Sequence, residues 1–103
     1  MNLFQIPKRL PDEEVTNEII RTPAFRVERI ISSGEASPNG FWYYQDEDEW
    51  VALLQGEALI EFDNGESITL SKGSELFIPA RQKHRVANTS TTPPCIWLCV
   101  FVK

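Results

Sequence analysis

The sequence has few of the residues that would indicate a nucleic-acid partner, a membrane or a secretion signal. Only 10 of its 103 residues are lysine or arginine, against 15 aspartate or glutamate, and the formal net charge is −5. Binding to phosphates needs clustered basic side chains, and here they are scattered. No run approaches the roughly 20 apolar residues of a membrane-spanning helix, and residues 1–8 lack the basic-then-apolar order of a signal peptide. We therefore expect a cytoplasmic protein without a nucleic-acid or membrane partner.

Cysteine is scarce as well, and the two that occur lie close together in an apolar stretch that is typical of a strand. In a strand, the four-residue spacing of Cys95 and Cys99 separates their Cα atoms by about 13 Å, well beyond the ~7 Å limit for a disulfide. The sequence therefore predicts two buried, reduced thiols rather than a bridge within the chain.

Sustained helical periodicity is also lacking, and a chain of this length has room for one hydrophobic core. From Phe25 onward, runs of β-branched and aromatic residues alternate with short turn signals, which is an all-β pattern. Asn64-Gly65 is a strong hairpin signal, so residues 57–71 should pair as a hairpin with a type I′ turn. The predicted strands are 25–33, 40–45, 49–55, 57–63, 66–71, 75–79, 84–89 and 95–102.

The last predicted strand is apolar on both faces, which is unusual in a small barrel. One face carries Ile96, Leu98, Val100 and Val102, and the other carries Cys95, Trp97, Cys99 and Phe101. The outer face needs cover, either from the N-terminal segment or from a second subunit, and we expect a homodimer. We divide the chain into an N-terminal arm, 1–24, which forms a short helix or an extra strand and packs on the barrel or on a partner subunit, and a barrel, 25–103.

Two groups of residues carry the chemistry. In the predicted strand 40–45, Phe41, Tyr43 and Gln45 share one face, and the returning strand places Glu49 beside Gln45. The intervening residues 46–48 are acidic and are expected to form a solvated hairpin tip. The second group is a spaced series along residues 73–88, namely Gly73, Pro79, Arg81, His84 and Asn88, and it contains the only histidine of the chain.

These two groups resemble the paired motifs of the cupin family. Gly40, Glu49 and Gly56 match the first motif in register, and Gly73, Pro79, His84 and Asn88 match the second. The match spans residues 40–88 and is closest to small bacterial single-domain cupins in which the first motif has Tyr-x-Gln in place of His-x-His. The resemblance implies an all-β, double-stranded β-helix, that is, a jelly-roll barrel, with both motifs facing a central cavity.

The departures from the family pattern bear on the site that the resemblance implies. Tyr43 and Gln45 replace the first motif's two metal-binding histidines, and Arg81 replaces a glycine of the second motif. Gln45, Glu49 and His84 then remain to hold a divalent metal such as Zn, Ni, Mn or Fe, and the loss of two imidazoles should weaken that binding. The alternatives are a former metal site in which Glu49 and His84 bond each other, and a metal-free site that uses them as base and acid.

The sequence therefore predicts a small-molecule-binding protein whose barrel binds a divalent metal weakly. Tyr43, Gln45 and Arg81 are its expected ligand-binding residues, although Arg81 could merely balance the acidic tip. The alternative is a metal-dependent enzyme, an oxygenase, isomerase or similar, acting on a small polar or carboxylate metabolite. Its catalytic candidates are Tyr43, Glu49 and His84, because fold alone does not choose among the reactions that this barrel hosts.

Overall fold

A computed structural model describes all 103 residues and contains eight β-strands and no helix. The strands are β1 (Val15–Arg21), β2 (Phe25–Ser32), β3 (Asp48–Gln55), β4 (Ala58–Phe62), β5 (Ser67–Leu70), β6 (Glu75–Ile78), β7 (His84–Thr89) and β8 (Cys95–Val102). The all-β prediction is confirmed. No helix that could cross a membrane is found in the chain.

The strands form two antiparallel sheets that face each other across one core. The larger sheet has the order β1-β2-β8-β3-β6, and the smaller has the order β5-β4-β7. Neighbouring strands are often distant in sequence, as β2 and β8 are, which is the connectivity of a jelly roll. The predicted double-stranded β-helix is confirmed. Its core consists of Val51, Leu53, Ala58, Ile60, Phe62, Leu70, Ile78, Cys95, Trp97, Cys99 and Phe101.

Alternation along β3 and β8 decides which side chains enter the barrel. Glu49, Val51 and Leu53 of β3 lie opposite Phe101, Cys99 and Trp97 of β8, in that order. Successive side chains of a strand point to opposite faces, so these three pairs share the inner face. Both cysteines are free and buried, as the strand spacing predicted.

The N-terminal segment, for which the sequence left a helix or a strand open, contains strand β1. It pairs antiparallel with β2 and extends the larger sheet by one edge strand. Residues ahead of it lie against the guanidinium of Arg29, which is only 6% exposed and donates hydrogen bonds to the carbonyls of Asn2, Leu3 and Gln5 at 2.8–3.3 Å. The division of the chain at residue 24 stays a prediction.

The outer face of β8 is covered at one end and open at the other. Ile96 is fully buried, whereas Val102 is 43% exposed. Beside the open end, one cross-strand row of apolar side chains runs over all five strands of the larger sheet. In register order the row is Ile20, Val27, Val100, Trp50 and Phe77, and its two ends, Ile20 and Phe77, are 45% and 57% exposed.

Two sequence predictions about local structure are wrong. Residues 40–45 do not form a strand, because the segment meets β7 through a single isolated bridge, Tyr43 to His84. The hairpin of β4 and β5 forms, but its turn is not type I′. Gly65 has φ of 90° and Asn64 has no positive φ; the Asn64 side chain instead accepts the Glu66 amide at 2.9 Å.

Candidate functional site

A cavity of about 290 Å³ opens between the two sheets and is lined by 16 residues. Nine of the lining residues are hydrophobic, counting Tyr43, and two large ones, Trp97 and Phe101, come from the inner face of β8. Tyr43, Gln45, Glu49 and His84 add polar atoms to the same wall. The cavity therefore joins an apolar body to a polar end, as pockets for small molecules usually do.

Glu49 lies at the start of β3, and its position depends on the turn before it. The Gln45 amide Nε2 donates to Glu49 Oε1 at 2.9 Å, and the Asp48 carboxylate accepts the backbone N–H of Ala80 at 2.8 Å. The second contact ties the turn to the segment ahead of β7. The Glu49 side chain keeps 12% of its surface exposed, so a carboxylate group stands in a largely dry environment.

His84 begins β7 and is held in one orientation. Its Nδ1 lies 3.0 Å from the carbonyl oxygen of Gln82, and because a carbonyl only accepts, Nδ1 carries a proton. Its Nε2 lies 3.6 Å from Glu49 Oε1, which is the distance of an ion pair rather than a hydrogen bond. The Tyr43 ring stacks on the imidazole with 5.4 Å between ring centroids. His84 is therefore buried with Nε2 turned towards the cavity.

The pKa values of His84 and Tyr43 are both raised, but for different reasons. Burial lowers the pKa of His84, but the Glu49 carboxylate and the Gln82 carbonyl together outweigh it, so the pKa is raised overall. Burial raises the pKa of Tyr43, and the carboxylates of Glu14 and Glu49 raise it further. The phenol thus stays neutral and able to donate, while the imidazole readily becomes a cation beside Glu49.

Strand β2 brings charged residues to the cavity that the sequence motifs did not indicate. Arg26 and Glu28 line it together with Ile30. The Arg26 guanidinium lies 2.5 Å from Glu47 Oε1 and 3.5 Å from Glu28 Oε2, and it covers the Phe101 ring at 3.9 Å. Period-two alternation places both charges on the face of Ile30, and that signal was available in the sequence.

The acidic turn is only partly the solvated tip that the sequence predicted. Asp46 is exposed, with 90% of its side-chain surface open to solvent. Glu47 instead turns back to Arg26, and Asp48 accepts the Ala80 amide. Both carboxylates find partly buried donors, which the sequence alone did not locate.

Arg81 stands apart from the other predicted ligand-binding residues. Tyr43 and Gln45 line the cavity, whereas Arg81 does not. Its side chain is 62% exposed, and its closest carboxylate is that of Asp46, at 3.9 Å. Its φ is 64°, a left-handed conformation that suits glycine. This backbone explains why the related motif has glycine there, and the side chain balances the exposed acid.

The residues present fit a divalent ion only weakly. No group of three or more histidine, cysteine, aspartate or glutamate side chains is gathered anywhere in the chain. Two ligands of one tetrahedral ion, each bound at about 2.1 Å, lie about 3.4 Å apart, and the 3.6 Å between His84 Nε2 and Glu49 Oε1 is close to that. Gln45 would have to turn its amide to present oxygen, so two strong donors and one amide are available.

Fold and site together define a small jelly-roll barrel with an internal cavity of ligand size. Residues 28–101 match the family model for the cupin domain, and the chain therefore belongs to the cupin superfamily. No curated protein sequence matched the chain.

Solved structures extend this likeness to the whole chain. A Ralstonia eutropha protein, proposed to be a mannose-6-phosphate isomerase, is 36% identical, with a TM-score of 0.94 over 100% of this chain and 96% of that one. A cupin superfamily protein from Desulfitobacterium hafniense is 20% identical, with a TM-score of 0.77 over 93% and 83% of the two chains. A DMSP lyase from Ruegeria pomeroyi is 16% identical, with a TM-score of 0.75 over 89% and 48%. The last two likenesses concern the fold alone.

Proposed function

We propose that this chain is a small-molecule-binding protein of the cupin superfamily whose ligand occupies the cavity around Tyr43, Gln45, Glu49 and His84. The supporting observation is that these four side chains line one cavity, together with a majority of hydrophobic residues. Its volume of about 290 Å³ lies near the lower end of the range of about 300–1,000 Å³ for ligand pockets. The ligand is therefore a small metabolite.

The polar end offers a distinct set of contacts. Glu49 accepts hydrogen bonds, the Tyr43 hydroxyl donates or accepts, and the imidazole of His84 accepts or donates at Nε2 according to its charge. Apolar contact with the walls favours entry of the ligand body, while the polar groups fix its orientation. Binding therefore requires a ligand with both an apolar part and a hydrogen-bonding end.

A fragment screen followed by NMR tests this proposal. Ligands of the cavity should shift the indole signal of Trp97 and the imidazole signal of His84 and leave the exposed turn at Glu66 unchanged. Glu49→Gln should weaken every such ligand, whereas Glu66→Gln, the same chemical change outside the cavity, should not. A diverse library in which no member shifts Trp97 or His84 would overturn the proposal.

The second candidate is a metal-dependent enzyme, with Gln45, Glu49 and His84 holding a divalent ion and Tyr43 as proton donor. The observation that favours it is the orientation of His84, since an imidazole whose Nδ1 donates to a carbonyl presents Nε2 as metal ligands do. The bound ion would polarise a carbonyl or activate a water. The relative proposed to be an isomerase is consistent with this alternative.

Elemental analysis separates the two candidates. If the chain is a metal-dependent enzyme, protein purified without chelators should contain near-stoichiometric Mn, Fe, Ni or Zn. The His84→Ala variant should then contain none of these metals. Thermal unfolding should then shift upward with added metal in the parent chain and not in the variant. Metal-free protein with an unchanged unfolding temperature would reject the metal and leave small-molecule binding.

We also propose that two copies associate through the apolar row of the larger sheet, defined above by Ile20, Val27, Val100, Trp50 and Phe77. The row carries no charge, so two copies related by a twofold axis can pack there without opposing like charges, although each chain has a net charge of −5. Light scattering at micromolar concentration should give the mass of a dimer. Phe77→Lys should shift it to a monomer and Thr69→Lys, on the other sheet, should not; a monomeric parent chain would refute the proposal.

We further propose that the chain is located in the cytoplasm. Its support is that Cys95 and Cys99 are free, as thiols in a reducing compartment are. Fractionation of cells that express the chain at its natural level should recover it in the cytoplasmic fraction, and recovery in another fraction would contradict this.

A further inference from the structure

The charges that line the cavity are mostly negative. Glu14, Glu28 and Glu49 contribute carboxylates, Arg26 contributes the only permanent cation, and His84 adds a charge only when protonated. The lining is therefore net negative in both states of the imidazole. An anionic ligand would have to enter against this field, whereas a cationic one would enter with it.

The one guanidinium in the lining is already occupied. Arg26 contacts Glu47 at 2.5 Å and Glu28 at 3.5 Å, with its side chain only 22% exposed, and it lies over the Phe101 ring. Two carboxylates share this one cation. Arg26 is therefore poorly placed to receive a carboxylate or phosphate group from a ligand.

The approach to the cavity is acidic too. A second, smaller cavity adjoins the first, shares Glu14 and Tyr43 with it, and adds Glu35 but no basic side chain. Of the basic residues near His84 in sequence, Arg85 pairs with Glu61 at 2.6 Å and donates to the Ser37 carbonyl at 2.8 Å. Arg81 faces solvent beside Asp46, and the Lys83 ammonium lies 5.9 Å from the Tyr44 ring centroid. None of these three basic side chains lines either cavity.

Two buried groups, Cys99 and His84, are close enough to these carboxylates to be affected by their charge. Burial raises the pKa of Cys99 well above its usual range, and Glu49, Glu28 and Glu14 raise it further. His84 is only 5% exposed, and its Nε2 lies 3.6 Å from Glu49 without a hydrogen bond. A ligand N–H or O–H group placed beside them, such as the hydroxyl of an amino alcohol, could donate to Nε2 or to the carboxylate when the imidazole is neutral.

We infer that the ligand of this cavity is a small organic cation, an amine or quaternary ammonium compound, rather than a phosphorylated or carboxylated metabolite. The inference rests on the proposed function, because it names the class of ligand for the same cavity. Glu28, Glu49 and Glu14 supply the countercharge, and the Tyr43 and Trp97 rings supply the aromatic wall that ammonium groups favour.

An isosteric series tests the sign of the ligand charge without changing its shape. Choline, 3,3-dimethylbutan-1-ol and 3,3-dimethylbutanoate differ in charge and little in size, and their affinities follow from NMR titration of the Trp97 and His84 signals. We expect choline to bind at least about tenfold more tightly than the alcohol, and the carboxylate to bind most weakly. Raising the salt concentration should reduce the preference for choline, because salt screens the attraction.

Two variants that each remove one carboxylate charge test whether the preference for choline depends on the charges of the cavity. Glu14 is exposed, lines the cavity and accepts a hydrogen bond from the Ser32 hydroxyl. The amide oxygen of glutamine can still accept that bond, so Glu14→Gln should fold normally. It should weaken choline by about two- to fivefold, the range of a solvent-exposed charge pair, without weakening the alcohol. Glu66→Gln makes the same charge change at a distant turn and should leave all three affinities unchanged. A choline loss of equal size in Glu66→Gln would show that only net charge matters and would overturn the assignment of Glu14.

The outcomes separate this inference from the proposed function. Equal affinities across the series, tightest binding of the carboxylate, or no binding of choline at millimolar concentration would each overturn the cationic ligand. If fragments of another charge still shift Trp97 and His84, small-molecule binding stands. If no fragment of any charge does, the proposed function itself fails.

Discussion

The two ends of the barrel are built from the same strands but differ in chemistry. Along the inner face of β3, exposure falls from Glu49, at 12% of its side chain, to Val51 at 3% and Leu53 at 0%. Along β8, Phe101 lies across from Glu49 and Cys95 is fully buried. One end is therefore an open polar cavity, and the other is a closed apolar core.

This difference shows how a barrel of 103 residues can combine stability with an open cavity. Close packing at the closed end supplies most of the apolar burial, which is the main favourable contribution to folding. Buried charge at the open end opposes it, since Glu49 and His84 lose hydration there. We expect substitutions at the closed end to change the free energy of unfolding and those at the open end to change ligand affinity.

The largest effect should come from removing a side chain at the closed end. Leu53→Ala leaves a void in a fully packed site and should lower the free energy of unfolding by about 2–5 kcal/mol, measured by urea denaturation. Ile30→Ala removes a side chain of the same size beside the existing cavity and should cost about half as much, because less buried surface is lost. Equal losses of unfolding free energy in the two variants would contradict the difference in packing between the two ends.

Alanine substitutions of two glycines, Gly56 and Gly65, test the close packing after β3 at the closed end. Gly56 has φ of 92°, and an added Cβ would lie 2.8 Å from Ser90 Oγ and 2.9 Å from Cys95 Cα. Gly65 has a similar φ of 90° but nothing within 4 Å. Gly56→Ala should therefore cost more than Gly65→Ala, whose cost is the backbone strain of about 1–3 kcal/mol. Thermal unfolding of the two variants measures the difference, and the reverse order would contradict the packing at Gly56.

Near the open end, one substitution should stabilise the chain. Arg81 has φ of 64° and makes only an exposed contact at 3.9 Å, so Arg81→Gly should relieve strain and raise the free energy of unfolding by up to about 1 kcal/mol. Arg81→Ala keeps the strain and serves as the control. If Arg81→Gly instead lost ligand affinity and Arg81→Lys retained it, Arg81 would be a ligand-binding residue after all.

The sequence was sufficient for those parts of the fold that follow from local alternation and motif spacing. The strands around Leu53 and Trp97 are long and apolar, so their inward faces were readable. Tyr43, Gln45, Glu49 and His84 were placed together because two motifs match a known pattern, and the structure brings the four side chains to one cavity. Their roles in binding stay predictions.

What the sequence did not reveal depends on contacts between distant segments. Residues 40–45 look like a strand but form only one bridge, between Tyr43 and His84 at the free edge of β7. The partners of Glu47 and Asp48 lie 21 and 32 residues away along the chain. The alternation of side chains along β2 would have placed Arg26 and Glu28 on the inner face with Ile30, as the alternation along β3 did for Glu49 and Val51.

The smallest expected effect is a dependence of stability on pH. Because the folded pKa of His84 lies above its usual value, the stability that protonated His84 contributes is fully present below the unfolded pKa of about 6.5. It is lost as the pH rises through the folded pKa. Comparing urea denaturation of the parent chain and His84→Asn between about pH 5 and 8 should show a difference that shrinks as the pH rises. A difference that grows would contradict the sign.

The most direct measurement is an NMR titration of His84, the only histidine of the chain, in the parent protein and in Glu49→Gln. Facing Glu49 at 3.6 Å, the imidazole should titrate with a pKa above that of a free histidine, and the pKa should fall in the variant, where burial acts without the carboxylate. A pKa at the ordinary value that does not change with Glu49→Gln would mean that the two side chains do not meet in the cavity.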